Sequence, residues 1–299
     1  MNSFRMWKEL LSIVPAQFIN HPDSVIIFRG KNMDATLILA IATMGGLGLL
    51  LAGGLAYADM KLRVEENPLI GQINEVLPGV NCGGCGRAGC YDLAVNIVEG
   101  NASVTACPVG GSDTAKKIAE LMGVEAGSVV KMVPRILCRG GNSEAVKKFA
   151  NYYGPLNCSA MAVVSGGDKL CYYGCLGGGD CVEACPFGAM FMNENGLPEV
   201  IDELCTGCGN CAKVCPRNII EMHPIDRNVF VFCKNHDDPK TSKEVCTVSC
   251  LGCGICARKS DGGIEMVNNL GVINYDKFDE SKIPFDKCST KAIGKLYEN

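Results

Sequence analysis

Cysteines fall along this chain in tight groups. Cys205-x2-Cys208-x2-Cys211-x3-Cys215-Pro216 is the most regular, followed by Cys250-x2-Cys253-x2-Cys256, Cys171-x3-Cys175-x5-Cys181-x3-Cys185-Pro186 and Cys82-x2-Cys85-x4-Cys90-x16-Cys107-Pro108. Gaps of two or three residues bring neighbouring sulfurs to one inorganic centre, whereas a disulfide scaffold scatters its cysteines. The two readings demand opposite redox compartments, and with 20 Cys in 299 residues the choice governs everything else. The spacing selects ligation. Composition agrees: 36 Gly supply tight backbone wraps, while aromatics at 6% leave a core short of large side chains. That excludes an ordinary enzyme barrel or doubly wound sheet and predicts an α+β chain of small domains held together by their metal centres.

One stretch, Ala35 to Ala58, carries no charge and is bracketed by Asp34 and Asp59. Its 24 residues exceed the roughly 20 that cross a bilayer as a helix, so a single transmembrane helix is predicted over 35–58. Ala56-Tyr57-Ala58 also fits the cleavage rule of a signal peptide. Against that, the stretch is long, it begins 34 residues in, and export would take cluster thiolates into oxidising surroundings. Gly48, Ala52 and Ala56 share one helix face, either for close approach of another membrane helix or simply facing lipid. No ionisable residue lies inside the span, so it offers no ion path of its own. Arg29 and Lys31 precede it and Lys61 and Arg63 follow, so charge counting leaves the orientation open; the thiolates put the body in the cytoplasm. Phe4, Trp7, Leu11 and Val14 recur at helical spacing, which makes residues 1–34 an amphipathic leader.

Within the first group, Gly83, Gly84, Gly86 and Gly89 permit a close wrap. Leu93, Ala94, Ile97 and Val98 then have helical spacing up to a stop at Gly100, so a helix carries the chain out and returns Cys107. Four thiolates alone leave a zinc site open here. The Cys205 group is the bacterial ferredoxin run, in which three thiolates hold one 4Fe-4S cluster and the fourth reaches a second. By that cross-ligation Cys185, Cys205, Cys208 and Cys211 hold one cluster and Cys171, Cys175, Cys181 and Cys215 the other, with Leu176 to Asp180 widening the loop. The Cys250 run lacks its fourth member: Ser260 stands there, and in the partner half, Tyr275 to Ile293, only Cys288 remains. Cys250, Cys253, Cys256 and Cys288 still make one set. Cys138, Cys158, Cys233 and Cys246 are left over, as a fifth set, as exchange partners for Cys171, Cys175 or Cys246, or as plain buried thiols. Four clusters are expected, and a fifth if the leftover thiols ligate.

The domain reading is a leader over 1–34, the anchor over 35–58, a four-Cys domain over 66–125, a linker with Cys138 and Cys158 over 126–168, a two-cluster ferredoxin-like domain over 169–225 and a degenerate one over 226–299. A formal charge of −4 and a pI near 5.5 argue against a nucleic-acid partner. His21, His223 and His236 are unclustered. No nucleophile elbow, phosphate-cradling loop or dinucleotide fingerprint occurs, so no catalytic residue and no direct NAD or flavin site is expected.

NCGGCGRAGC with Cys107-Pro108, CYYGCLGGGDCVEACPFGAM and CTGCGNCAKVCPRNII, in that order behind an anchor, resemble the long form of the B subunit of the Rnf ion-translocating oxidoreductase complex over about residues 37 to 299. The first module is also similar to the large subunit of corrinoid iron-sulfur proteins. In both families the resemblance implies one 4Fe-4S cluster on Cys82, Cys85, Cys90 and Cys107. It further implies an electron-transfer subunit in the cytoplasmic membrane, taking electrons from soluble ferredoxin and passing them to other membrane and peripheral subunits. NAD reduction would fall to the C subunit and Na+ or H+ movement to the complex. The leader and the degraded last repeat depart from the family pattern. Two rivals are a corrinoid-linked protein, for whose barrel the chain has no room, and a redox-silent zinc scaffold. Between residues 113 and 148, Lys116, Lys117, Lys131, Arg135, Arg139, Lys147 and Lys148 outnumber Asp113, Glu120, Glu125 and Glu144, as a docking patch for an acidic ferredoxin or as an ordinary solvated face.

Overall fold

The computed structural model describes residues 35–62, 67–149 and 151–296. The leader, with Phe4, Trp7, Leu11, Val14 and His21, lies outside the described residues. Two compact units are distinguished, 1–65 and 66–299.

In the first unit, helix α1 spans Ala35–Leu62, four residues beyond the predicted end at Ala58. Within Leu37–Leu62 an 18-residue window has a mean hydropathy of 2.0 with none of it buried, so the helix is long and apolar enough to cross a membrane.

The second unit opens with three helices, α2 (Pro68–Val76), α3 (Cys90–Val98) and α4 (Gly111–Met122). Asn67 caps α2, its Oδ1 accepting the Leu69 N–H at 3.0 Å with proline in the first turn. Gly123, left-handed at φ 66°, ends α4. Apolar stripes carrying Ile73, Leu77, Leu93, Ala94, Ile97 and Ile118 close a small core, with Cys85, Cys90 and Cys107 packed on its edge.

The remainder repeats one topology. Strand β1 (Met132–Ile136) pairs antiparallel with β4 (Ile220–Pro224), and the hairpin of β2 (Met190–Met192) and β3 (Pro198–Val200) lies between them in sequence. Likewise β5 (Val229–Val231) pairs with β8 (Ile293–Lys295), and the hairpin of β6 (Ile264–Val267) and β7 (Leu270–Ile273) lies between those. Short helices α5 (Cys158–Val164), α6 (Asp180–Glu183), α7 (Asn210–Lys213), α8 (Pro239–Val245) and α9 (Ile255–Lys259) link the strands. One turn recurs four times. The carbonyls of Cys185, Cys215, Ser260 and Cys288 each accept the N–H three residues on, from Gly188, Asn218, Gly263 and Lys291, and a strand follows directly.

The reading of 126–168 as a linker is corrected. This segment supplies β1, in register from Met132 opposite Pro224 to Ile136 opposite Ile220. Pro134 and Arg135 inside the strand hide its alternation, yet Arg135 is 2% exposed and grips Asp202 through two hydrogen bonds of 2.7 and 2.9 Å.

Candidate iron-sulfur sites

In the first module Cys82 and Cys85 flank a turn closed by the Gly86 N–H on the Gly83 carbonyl at 3.0 Å. Asn81 Oδ1 accepts the Cys90 N–H at 2.7 Å and ties the start of α3 to that loop. Cys107 Sγ accepts the Gly110 N–H at 3.3 Å; burial pushes its thiol up, and Cys90 and Cys85 are its thiol neighbours.

Cys185, Cys205, Cys208 and Cys211 line one cavity. Gly207 and Gly209, both at φ 76°, make the left-handed turns between these sulfurs. Burial pushes the Cys211 thiol up to about 12, with Cys208 and Cys205 adding to it.

The neighbouring set differs from the expected one. Burial pushes Cys181 up to about 11, and the thiols acting on it are Cys158 and Cys215. Cys175, pushed up to about 12 by burial, is near Cys138 and Cys158. Cys171 instead has Cys138 as its thiol neighbour. Cys158 and Cys215 are thus among the thiol neighbours of this group and Cys171 is not. The glycine-rich insertion explains why. A Cβ on Gly178 would lie 2.5 Å from the Cys158 nitrogen and 2.7 Å from the Asn157 carbonyl carbon, so the insertion admits residues 157 and 158 rather than widening a loop around Cys171. Asn157 caps α5 and Asp180 holds its first turn: the Asp180 carboxylate accepts the Cys158 N–H at 2.6 Å, the Ser159 N–H at 3.0 Å and the Ser159 hydroxyl at 2.7 Å.

The remaining thiols converge as well. Cys138, Cys171, Cys233 and Cys246 line a second cavity. A Cβ on Gly140 would stand 3.0 Å from Cys246 Sγ and 3.7 Å from Cys138 Sγ, and one on Gly174 would stand 3.4 Å from Cys171 Sγ. Cys138 Sγ accepts the Cys175 N–H and Cys233 Sγ the Asn235 N–H, each at 3.4 Å. Burial raises Cys233 to about 12 and Cys246 to about 11. A third cavity is lined by Cys250, Cys253, Cys256 and Cys288, with Gly252 and Gly254 at φ 60° and 68° repeating the turns of Gly207 and Gly209.

The sets adjoin in series. Asn210 donates to the Cys82 carbonyl at 3.1 Å and Lys213 to that of Gly83 at 3.0 Å, while a Cβ on Gly84 would meet the Cys208 carbonyl at 2.8 Å. Cys181 of the next set acts on Cys211, and the Cys175 N–H reaches Cys138 in the one after. Ser249, the residue before Cys250 of the last set, lines the fourth set's cavity, and Cys250 adds to the upward push on the Cys233 thiol.

Among the described residues no three His, Cys, Asp or Glu converge closely enough to hold a single metal ion. Three of the sets line a cavity each, and backbone N–H groups donate to Cys107, Cys138 and Cys233. That donor set fits a cubane cluster, which takes thiolates at separate iron corners and is tuned by N–H donors to sulfur. His223 packs on Phe230 with Glu221 beside it, and His236 bonds the Asn268 carbonyl, so both have packing partners of their own.

Fold and thiol constellations together define an iron-sulfur electron-transfer protein. A family model for an Fe-S cluster matches residues 77–109, and a 4Fe-4S dicluster domain matches residues 172–222, beginning one residue past Cys171. The B subunit of the Na(+)-translocating ferredoxin:NAD(+) oxidoreductase complex of Acetobacterium woodii is 42% identical over 258 residues, covering 86% of this chain and 77% of that one. The B subunit of the ion-translocating oxidoreductase complex of Methanosarcina acetivorans is 41% identical over 262 residues, 87% of this chain and 99% of the relative. The proton-translocating counterpart of Clostridium ljungdahlii is 38% identical over 241 residues, 80% and 84% of the two chains. The chain belongs to the B-subunit family of the ion-translocating ferredoxin:NAD oxidoreductase (Rnf) complexes, as an iron-sulfur electron-transfer subunit.

Proposed function

We propose that this subunit carries five 4Fe-4S clusters arranged as a single-file relay. In order, the ligand sets are Cys82, Cys85, Cys90 and Cys107; Cys185, Cys205, Cys208 and Cys211; Cys158, Cys175, Cys181 and Cys215; Cys138, Cys171, Cys233 and Cys246; and Cys250, Cys253, Cys256 and Cys288. The observation that carries this reading is the adjacency of the thiol sets along the chain, from the Cys82 loop on Cys208 and Asn210, through Cys175 on Cys138, to the cavity that Ser249 lines beside Cys250. When bound, the clusters accept and release single electrons. The chain's own residues fix their spacing, bury them and donate N–H groups to their sulfurs.

In this reading α1 crosses the membrane once, the thiolate-bearing unit lies in the cytoplasm, and the partners are the other subunits of the complex with soluble ferredoxin as donor. NAD reduction belongs elsewhere in the complex, since this sequence holds no dinucleotide fingerprint. Lys147 and Lys148, without Arg135, which is buried on Asp202, form the docking surface for an acidic ferredoxin. The deciding experiment is metal analysis of the anaerobically purified full chain: about 20 iron atoms per chain and a brown colour are expected. A colourless, zinc-loaded protein would end the reading in favour of a structural scaffold. Reversing the charge of Lys147 and Lys148 together is expected to remove the salt dependence of electron uptake from ferredoxin; unchanged kinetics would refute docking there.

A further inference from the structure

A lysine stands inside the fourth thiol set. Lys169 is 6% exposed and lines the cavity of Cys138, Cys171, Cys233 and Cys246. Its Nζ donates to the Gly140 carbonyl at 3.0 Å. Gly140 is the residue wedged between Cys246 and Cys138, so the ammonium is anchored on the strip of backbone that separates two of the sulfurs. The ion pairs among the described residues do not include Lys169.

Burying an ammonium against a lone carbonyl is costly unless an anion compensates. The surroundings supply anions only in part: Glu144 acts on Cys246 and Asp237 on Cys171, each as a negative charge that disfavours a thiolate. Four thiolates around a cubane carry net negative charge, and that charge is what the buried ammonium matches.

We propose that Lys169 is a positioning residue for the fourth cluster: it holds the Gly140 strip in place and, by its fixed positive charge, raises the reduction potential of that cluster. The inference rests on the five-cluster reading and adds a tuning element that no ligand motif contains. An added electron makes the cluster more negative, and a cation buried beside it favours that state over the oxidised one.

The test uses the full chain, purified anaerobically and titrated with electron paramagnetic resonance as the readout. Cys233→Ser first identifies the signal of this cluster. If Cys233→Ser removes neither iron nor signal, the five-cluster reading fails before Lys169 is tested. Lys169→Gln and Lys169→Met are expected to keep the iron content and to shift the reduction equilibrium of the fourth cluster at least tenfold toward the oxidised form, 59 mV for one electron, with a smaller shift of the same sign in the third cluster, on whose Cys175 thiol Lys169 also acts. Lys169→Arg is expected to restore the potential. Intact iron with an unmoved potential in Lys169→Gln overturns the proposal. If both neutral variants lose the cluster, Lys169→Arg decides: retention of iron supports the charge role, and loss of iron assigns Lys169 to packing alone and overturns it.

Discussion

The segment from β1 to β4 and the segment from β5 to β8 share a topology but differ in what fills them. In the first, the core is largely sulfur: Cys175, Cys181, Met190 and Cys211 pack with Leu197, Ile219 and Ile220. In the second, Val229, Ile264, Ile283 and Ile293 form the core, with Phe278 and Phe285 against it. The exchange is sharpest at one pair of positions. Cys215, after α7, lies beside Cys181 and Cys158. Its counterpart after α9 is Ser260, 1% exposed, whose hydroxyl accepts the Ile264 N–H at 2.9 Å and donates to the Ala257 carbonyl at 3.3 Å. The recurring turn thus survives without a sulfur in it. A side-chain hydrogen bond holds the backbone, and hydrocarbon takes the volume that thiols occupy in the first segment.

This comparison breaks most visibly at the cysteines themselves. Cys215→Ser is expected to remove about four iron atoms per chain, the content of one cubane. The reverse exchange, Ser260→Cys, is expected to add none, because the second segment lacks the other three ligands. Iron analysis of the two variants checks both, and iron gained by Ser260→Cys would show that the second segment retains a hidden site. Next in size is Asp202→Ala. It leaves Arg135 buried and unpaired, which costs about 3–5 kcal/mol in unfolding free energy measured by denaturant titration of the holo chain. The second segment has no equivalent among the described residues, since its pairs Lys282 to Asp261, Lys287 to Asp286 and Lys295 to Glu280 have solvent-exposed side chains.

Much of this was legible in the cysteine spacing, because two- and three-residue gaps report local geometry and the ferredoxin run fixes its own set through Cys185. The helix after Cys90 could also be read, from the 3.6-residue period of Leu93, Ala94 and Ile97, which are its buried face. What the spacing did not carry is contact between thiols distant in sequence. Cys158 and Cys175 are separated by α5 and by Cys171, so counting gaps groups Cys175 with the nearer Cys171, whereas in the structure Cys158 is the one that acts on it. A physical signal was nevertheless present in Gly177-Gly178-Gly179-Asp180. Three glycines followed by an acid mark a place where another backbone approaches closely and a helix start needs an acceptor. Strand β1 was hidden for a different reason: Arg135 is a charged residue made inward-facing by a partner 67 positions away, which no local pattern encodes.

Smaller effects test whether Ser260 replaces a cluster ligand or merely tolerates its loss. In Ser260→Ala the Ile264 N–H stays buried and loses its acceptor, which costs about 1–3 kcal/mol. The loss should appear in the unfolding free energy with iron content unchanged. Were the effect nil, the turn would be held by β6 and β7 alone, and the hydroxyl would be a remnant rather than a substitute. The smallest expected change lies one residue away. Asp261 is left-handed at φ 49° and pairs with Lys282 across 3.0 Å of exposed surface, raising the Lys282 pKa through a hydrogen bond that water and salt screen. A raised lysine pKa stabilises the fold below the unfolded value and loses that contribution only as the pH climbs past it, so the pair is fully formed at neutral pH and still adds little. Asp261→Asn, which keeps a residue tolerant of the left-handed region, is expected to leave the melting temperature unchanged at moderate salt. A clear drop would mean that the second segment depends on surface charge where the first depends on the buried Arg135 and Asp202 pair.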